Sequence, residues 1–233
     1  MNQLFQALRR WGAMAAGAAA LLVLQGCATP AKPYDYAAYH AAKPASIIVL
    51  PPVNATPEVL ATPGVMAQVT LPLAESGYYV LPVSLVDETL KQNGVLTADE
   101  AQAIDRTKLR EIFGADAGLY LKVTRYGSVY RVINSETAVT LEARLVDLRS
   151  GQLLWDGSAS ASSAEQNNNN QAGLVGLLVK ALVEQIVAST TDKSYPIAGI
   201  ASDRLLAAGR PNGLLFGPRS PRYGKPEGGK SGG

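Results

Sequence analysis

One cysteine, one histidine and three phenylalanines stand in the 233-residue chain, and each scarcity closes a route to chemistry. Nucleophilic catalysis needs a base beside the nucleophile; with Cys27 the only thiol and His40 the only imidazole, neither a Ser-His-Asp nor a Cys-His site can be assembled. Zinc sites built from several cysteines and histidines are excluded for the same reason. A lone cysteine also forbids a disulfide within one chain, so the fold rests on packing. No G-x-G-x-x-G follows a strand, and the one G-x-x-x-x-G-K-[ST] string, Gly224 to Ser231, lies in the Gly- and Pro-rich final stretch and follows no predicted strand, the context a phosphate loop needs. The carboxylate pairs Asp87 with Glu88 and Asp99 with Glu100 are the formal remainder, a glycosidase's requirement. Near helix starts such residues serve as caps and dipole partners. The sequence therefore implies no enzyme, no cofactor and no metal.

No sign of charge dominates either. Residues 1–26 hold Arg9 and Arg10 and no acid, so the remaining 207 residues carry 21 − 2 = 19 basic against 19 acidic side chains. Nucleic-acid binding normally shows as a clustered basic face, and a neutral chain gives no such footprint. The one long apolar run, residues 13–24, is interrupted only by Gly17. Twelve helical residues reach roughly 18 Å, short of the roughly 30 Å hydrocarbon core. Basic, apolar and small residues in that order form a secretory signal. In "LLVLQGCATP" the step from Leu24 to Gly26 and Cys27 resembles the lipobox of bacterial lipoproteins, although Gln25 stands where a small residue is usual. The resemblance implies cleavage before Cys27, its lipidation, and, with Ala28 and Thr29 following, delivery to the outer membrane. Two or three acyl chains hold a protein on a leaflet where one is marginal.

Residues 27–45 then read as a lipidated tether. Prolines, alanines and scattered tyrosines (Tyr34, Tyr36, Tyr39) show no strong period, and the eighteen residues from Ala28 to Ala45 extend to about 60 Å. An α/β domain is expected over residues 46–208. "SIIVLPP" predicts a buried strand stopped by Pro51 and Pro52. A helix follows, with Thr62 as cap, Pro63 in its first turn and Gly77 past its end. "YYVLPV" predicts a second strand, Ser84 with Asp87 a capping box, Asn93-Gly94 a stop, and Thr97 with Glu100 another box. Residues 106–113 continue helically to Gly114. The period then falls to two in "LYLKVTRY" and "TAVTLEARL", half-buried antiparallel strands, with Gly151 in a short turn before a third strand. Expected strands lie near 46–50, 78–82, 117–126, 137–147 and 152–160. The β-α-β-α start and antiparallel finish predict a single-domain α/β sandwich on a mixed sheet. After "QNNNNQ", an apolar stripe from Leu174 to Ile186 predicts a helix clamped between layers, and 197–208 predicts a last short one. Residues 209–233, rich in Gly and Pro, read as a mobile tail. Its Arg219, Arg222, Lys225 and Lys230 are either solvated or in touch with phosphates or carboxylates of the envelope.

Taken together, "SIIVLPPVN", "LPLAESGYYVLPVSLVDETLKQNG", "LREIFGADAGLYLKVTRYG", "LVDLRSGQLLWDG" and "GLLFGPRSPRYG" resemble the family of Gram-negative outer-membrane lipoproteins first catalogued as a meningococcal genome-derived surface antigen. The resemblance implies a domain similar to the amino-terminal domain of TolB, and genetic company with a lipoprotein similar to the curli secretion channel. It brings no catalytic or ligand residues. The function expected is a non-catalytic binding or assembly subunit of an envelope complex, held on the periplasmic face of the outer membrane through Cys27. A periplasmic activator of a peptidoglycan synthase is the alternative.

Overall fold

The structure, a computed structural model, describes residues 33–130, 135–166 and 192–225. Cys27, the 174–186 stripe and Lys230 lie outside the described residues. In chain order the elements are α1 (Ala37–Ala42), β1 (Ser46–Val49), β2 (Val53–Asn54), α2 (Ala61–Glu75), β3 (Tyr79–Val80), α3 (Val83–Gln92), α4 (Ala98–Ala103), α5 (Arg106–Phe113), β4 (Ala117–Tyr130), β5 (Ser135–Asp147), β6 (Leu153–Ser162) and α6 (Ser194–Leu206). The strands form one six-stranded mixed sheet, ordered β3-β1-β4-β5-β6, with β2 beside β4. β1 runs parallel to β3 and β4, while β4, β5 and β6 are antiparallel. Parallel neighbours need long crossovers, and α2 and then α3–α5 supply them.

The period-two pattern becomes a row across the sheet. Register places Val49 beside Leu119, Leu119 beside Leu145 and Leu145 beside Trp155, all four buried. Each such side chain contributes about 2 kcal/mol by leaving water. One step out of phase, Ile48 and Leu50 pack with Val86, Leu90, Leu109 and Leu148 beneath α3 and α5. Farther along that face polar side chains take over: Lys122 stands opposite Glu142, and the Arg144 guanidinium lies 5.9 Å from the Tyr120 ring centre. α6 packs against α2, β5 and β6. At the mouth of β1, Asp116 Oδ2 accepts from the amides of Ala45 (3.1 Å) and Ser46 (3.0 Å) and from the Ser46 hydroxyl (2.9 Å), pinning β1 to the start of β4.

The helix ends are set largely by local chemistry. Thr97 and Glu100 close the expected capping box, and Gly114 takes a left-handed φ of 67° after α5. Past α2, the Gly77 amide donates to Ala74 O and the Tyr78 amide to Leu73 O, the double bond that an αL glycine permits. Two expected caps are not made. Thr62 lies inside α2, which begins at Ala61, and its hydroxyl donates to Pro52 O at 3.0 Å. Ser84 lies inside α3: Pro82 takes the cap position, its carbonyl receiving the Leu85 and Val86 amides. The short β2 has no counterpart among the expected strands, since two residues cannot show a period.

The larger correction concerns the flanks. Residues 37–45, read as tether, begin with a helix and end hydrogen-bonded to Asp116; residues 209–225, read as tail, lie against the end of α2. Main-chain bonds to residues distant in sequence carry both contacts, which is why the local pattern did not reveal them.

Candidate functional site: a tyrosine-lined cationic groove

Tyr36, Tyr39 and His40 fall at i, i+3 and i+4 around α1, on neighbouring turns. The Tyr36 ring centre lies 6.2 Å from that of Tyr39 and 6.4 Å from that of His40, both edge-on. Tyr39 is 4% exposed, and its hydroxyl meets that of Tyr78, the second residue beyond the C-cap of α2. The Tyr78 hydroxyl spends its one proton on Leu215 O at 2.5 Å. The Tyr39 hydroxyl is therefore the donor of the pair, in a relay Tyr39 → Tyr78 → Leu215. Tyr36 donates to Gly213 O at 2.5 Å, and the Trp155 indole to Asn212 O at 3.0 Å. Three aromatic donors from three distant elements thus converge on the carbonyls of residues 212–215.

The same segment is laced to the end of α2 by main-chain bonds, Gly217 N to Ser76 O (2.9 Å) and Arg219 N to Gly77 O (3.0 Å). Only glycine fits this crossing. A Cβ at Gly217 would lie 2.5 Å from Gly77 O, and one at Gly77, whose φ is 95°, would lie 2.4 Å from Ser220 N.

Between α1 and this segment opens a groove of ≈ 610 Å³. Tyr36, Tyr39, Tyr78 and Phe216 form its aromatic surface, and Lys43, Arg222 and Lys225 its charged one. The Arg222 guanidinium lies over the Phe216 ring, 4.4 Å from its centre, a cation–π contact. No acidic side chain among the described residues lines the groove. Among the described residues no carboxylate lies within ion-pair distance of Lys43, Arg222 or Lys225. Asp35, nearby in sequence, accepts from the Ala37 amide at 2.9 Å. Burial, reinforced by the neighbouring Tyr78, pushes the Tyr39 phenol well above its ordinary range; burial likewise raises Tyr78, partly offset by the bond from Tyr39. Both stay neutral near pH 7 as hydrogen-bonding surfaces. The groove can stack, donate and attract negative charge.

Three of the four candidate catalytic carboxylates, Asp87, Glu88 and Glu100, are otherwise engaged. Asp87 pairs with Lys91 at 2.6 Å, and Glu88 accepts from Gln92 at 2.9 Å. Glu100 receives the Leu96 and Thr97 amides, bonds from Thr97 foremost holding its carboxyl below the ordinary range. Among the described residues no cluster of His, Cys, Asp and Glu could hold a metal, and no helix is long and apolar enough to cross a membrane. His40, assigned to the tether, sits exposed on the rim of the groove. Arg219 and Arg222, assigned to the tail, lie over the rings of Tyr79 (5.0 Å) and Phe216. The aromatic cluster itself was missed. Its one signal was the i, i+3, i+4 spacing in "YAAYH".

A family described as "Putative lipoprotein GNA1162-like" matches residues 34–219. "Putative lipoprotein NMB1124/NMB1162" of Neisseria meningitidis serogroup B is 47% identical over 204 residues, 87% of this chain and 94% of the relative. The crystal structure of lipoprotein GNA1162 from Neisseria meningitidis shares 50% identity with a TM-score of 0.51, covering 63% of this chain and all of that one. A PelC dodecamer structure from Paraburkholderia phytofirmans is 13% identical, with a TM-score of 0.41 over 70% of this chain and 86% of that one, too slight a likeness to carry an argument. Both matched flanks, 34–45 and 209–219, hold groove residues, and the chain belongs to the GNA1162-like lipoprotein family.

Proposed function

We propose that this protein is a non-catalytic binding or assembly subunit of a cell-envelope complex, anchored through lipidated Cys27 to the periplasmic face of the outer membrane, with a secretion-channel-like lipoprotein as its partner. The observation that carries the binding role is the groove, a preformed aromatic and cationic surface; elsewhere, Asp87, Glu88 and Glu100 are taken up in caps and surface pairs. A domain that presents donors and rings without an activated nucleophile holds things rather than converts them. The anchor rests on the order of residues 1–27 and on membership of a lipoprotein family.

Against a synthase activator stands the reach of the chain. Tyr36 stands only nine positions after Cys27, at most about 30 Å of extended chain, too little to carry the domain across the periplasm. Crosslinking in cells, followed by purification and mass spectrometry, tests the partner: a channel-like lipoprotein is the expected capture, and a synthase would overturn the assignment. Intact mass tests the anchor, with cleavage before Cys27 plus acyl mass expected and an unmodified thiol contradicting it.

A further inference from the structure

We propose that the tyrosine-lined groove is a binding site for phosphate-bearing ligands with an apolar or ring-shaped body, either the headgroup region of an anionic phospholipid or a soluble phosphate ester. It deepens the binding role proposed above by naming what the groove takes.

Three observations point to this chemistry. First, Lys43 from one flank and Arg222 and Lys225 from the other approach one concavity, with no acidic side chain among the described residues of its lining. Like charges brought together without a counter-charge repel, and an oxyanion between them removes that cost. Secondly, the Arg222 guanidinium lies over the Phe216 ring, 4.4 Å from its centre, a contact that holds its carbon beside the groove, and a guanidinium offers the forked donors that phosphate oxygens accept. Thirdly, much of the remaining wall is aromatic or apolar: Tyr39 and Tyr78 are held as neutral phenols in their relay, and Leu215 and Phe216 add apolar surface. A bare anion leaves that wall unused; a phosphate on a ring or acyl-glycerol body covers it. The lipid source is geometrically accessible. With at most about 30 Å of chain between Cys27 and Tyr36, the groove stays close to the leaflet, and tyrosines suit its boundary.

The test uses the full chain held by its own anchor in lipid nanodiscs, with lysine acylation rates read by mass spectrometry. Lys43 and Lys225 report on the groove; Lys108, on α5, serves as control. In phosphatidylcholine discs, phenyl phosphate is expected to slow acylation of Lys43 and Lys225 about threefold when the site is two-thirds occupied, leaving Lys108 unchanged. Protection in phosphatidylglycerol discs without added ester identifies lipid as the source; protection by phenyl phosphate alone identifies a soluble one. Arg222→Gln is expected to raise the phenyl phosphate concentration needed for the same protection about tenfold, and to lower the protection seen in phosphatidylglycerol discs. Lys43→Gln, read at Lys225, gives a second variant that leaves the Arg222 stack in place. No protection by either probe, or equal slowing at Lys108, overturns the proposal. That outcome leaves the partner crosslink intact, so the two readings fail separately.

Discussion

The sheet and the groove occupy the same chain but are held by different means. Across the sheet, Val49, Leu119, Leu145 and Trp155 are buried side by side, and their stability is hydrophobic and shared among many neighbours. The groove hangs on a few long-range hydrogen bonds: Tyr36 to Gly213, Tyr78 to Leu215 and Gly217 to Ser76. The first arrangement degrades gradually and globally when a side chain is trimmed. The second fails locally, one bond at a time, while the sheet persists. A binding surface built this way draws on the low-stability end of the molecule, where ligand sites are commonly found.

The comparison is broken most severely from the sheet side. Leu119→Ala removes a fully buried side chain and is expected to cost about 3 kcal/mol, lowering the urea midpoint for sheet and groove together. Gly77→Ala attacks the crossing instead, forcing a side chain into a φ of 95° and against Ser220. It is expected to cost about 2 kcal/mol, with residues 212–220 released while sheet amides keep their protection. A variant that loses both at once would erase the distinction between the regions. Tyr78→Phe is milder, about 1–2 kcal/mol, since it strands the Leu215 carbonyl and leaves the Tyr39 hydroxyl without an acceptor.

The same relay gives the groove a pH signature. Folding raises the Tyr39 pKa, chiefly by burial, so the folded state holds the phenolic proton more tightly than the unfolded chain does. The resulting stability is complete below the ordinary tyrosine value near 10 and is lost as pH rises above it. Chemical denaturation between pH 7 and 11 should show this alkaline loss, reduced in Tyr39→Phe. An identical slope in that variant contradicts the relay. The smallest expected effect is at α4, where Thr97→Ala opens the capping box for about 1 kcal/mol, measured by urea unfolding, with no change in the groove.

These two regions also differed in what could be read before the structure. The alternation of Leu119, Leu121 and Val123 against Tyr120 and Lys122 is a local regularity, and it specified both the strand and its buried face. The boxes at Thr97–Glu100 and the glycines at 77, 94 and 114 were legible for the same reason, since each involves residues within a turn of one another. Thr62 and Ser84 misled because a cap also depends on how the chain arrives, and the turn before Ala61 and Pro82 had already determined that. The groove was not legible. Tyr36 and Gly213 lie 177 positions apart, and nothing in "YDYAAYH" or "PNGLLFGPRS" alone says that one meets the other. Proline and glycine in the closing segment resemble a tail's composition, yet Gly217 is there because a neighbouring backbone comes too close for any side chain.

Native-state hydrogen exchange at Gly217 and Arg219 tests most directly whether the flanks are part of the fold. Their amides donate to Ser76 O and Gly77 O. The expected result is exchange slowed by roughly a hundredfold or more relative to an unstructured peptide, with protection at both sites lost in Gly77→Ala while β4 and β5 amides stay protected. Exchange at the unstructured rate in the unaltered protein would contradict it, and the groove would have no lasting wall.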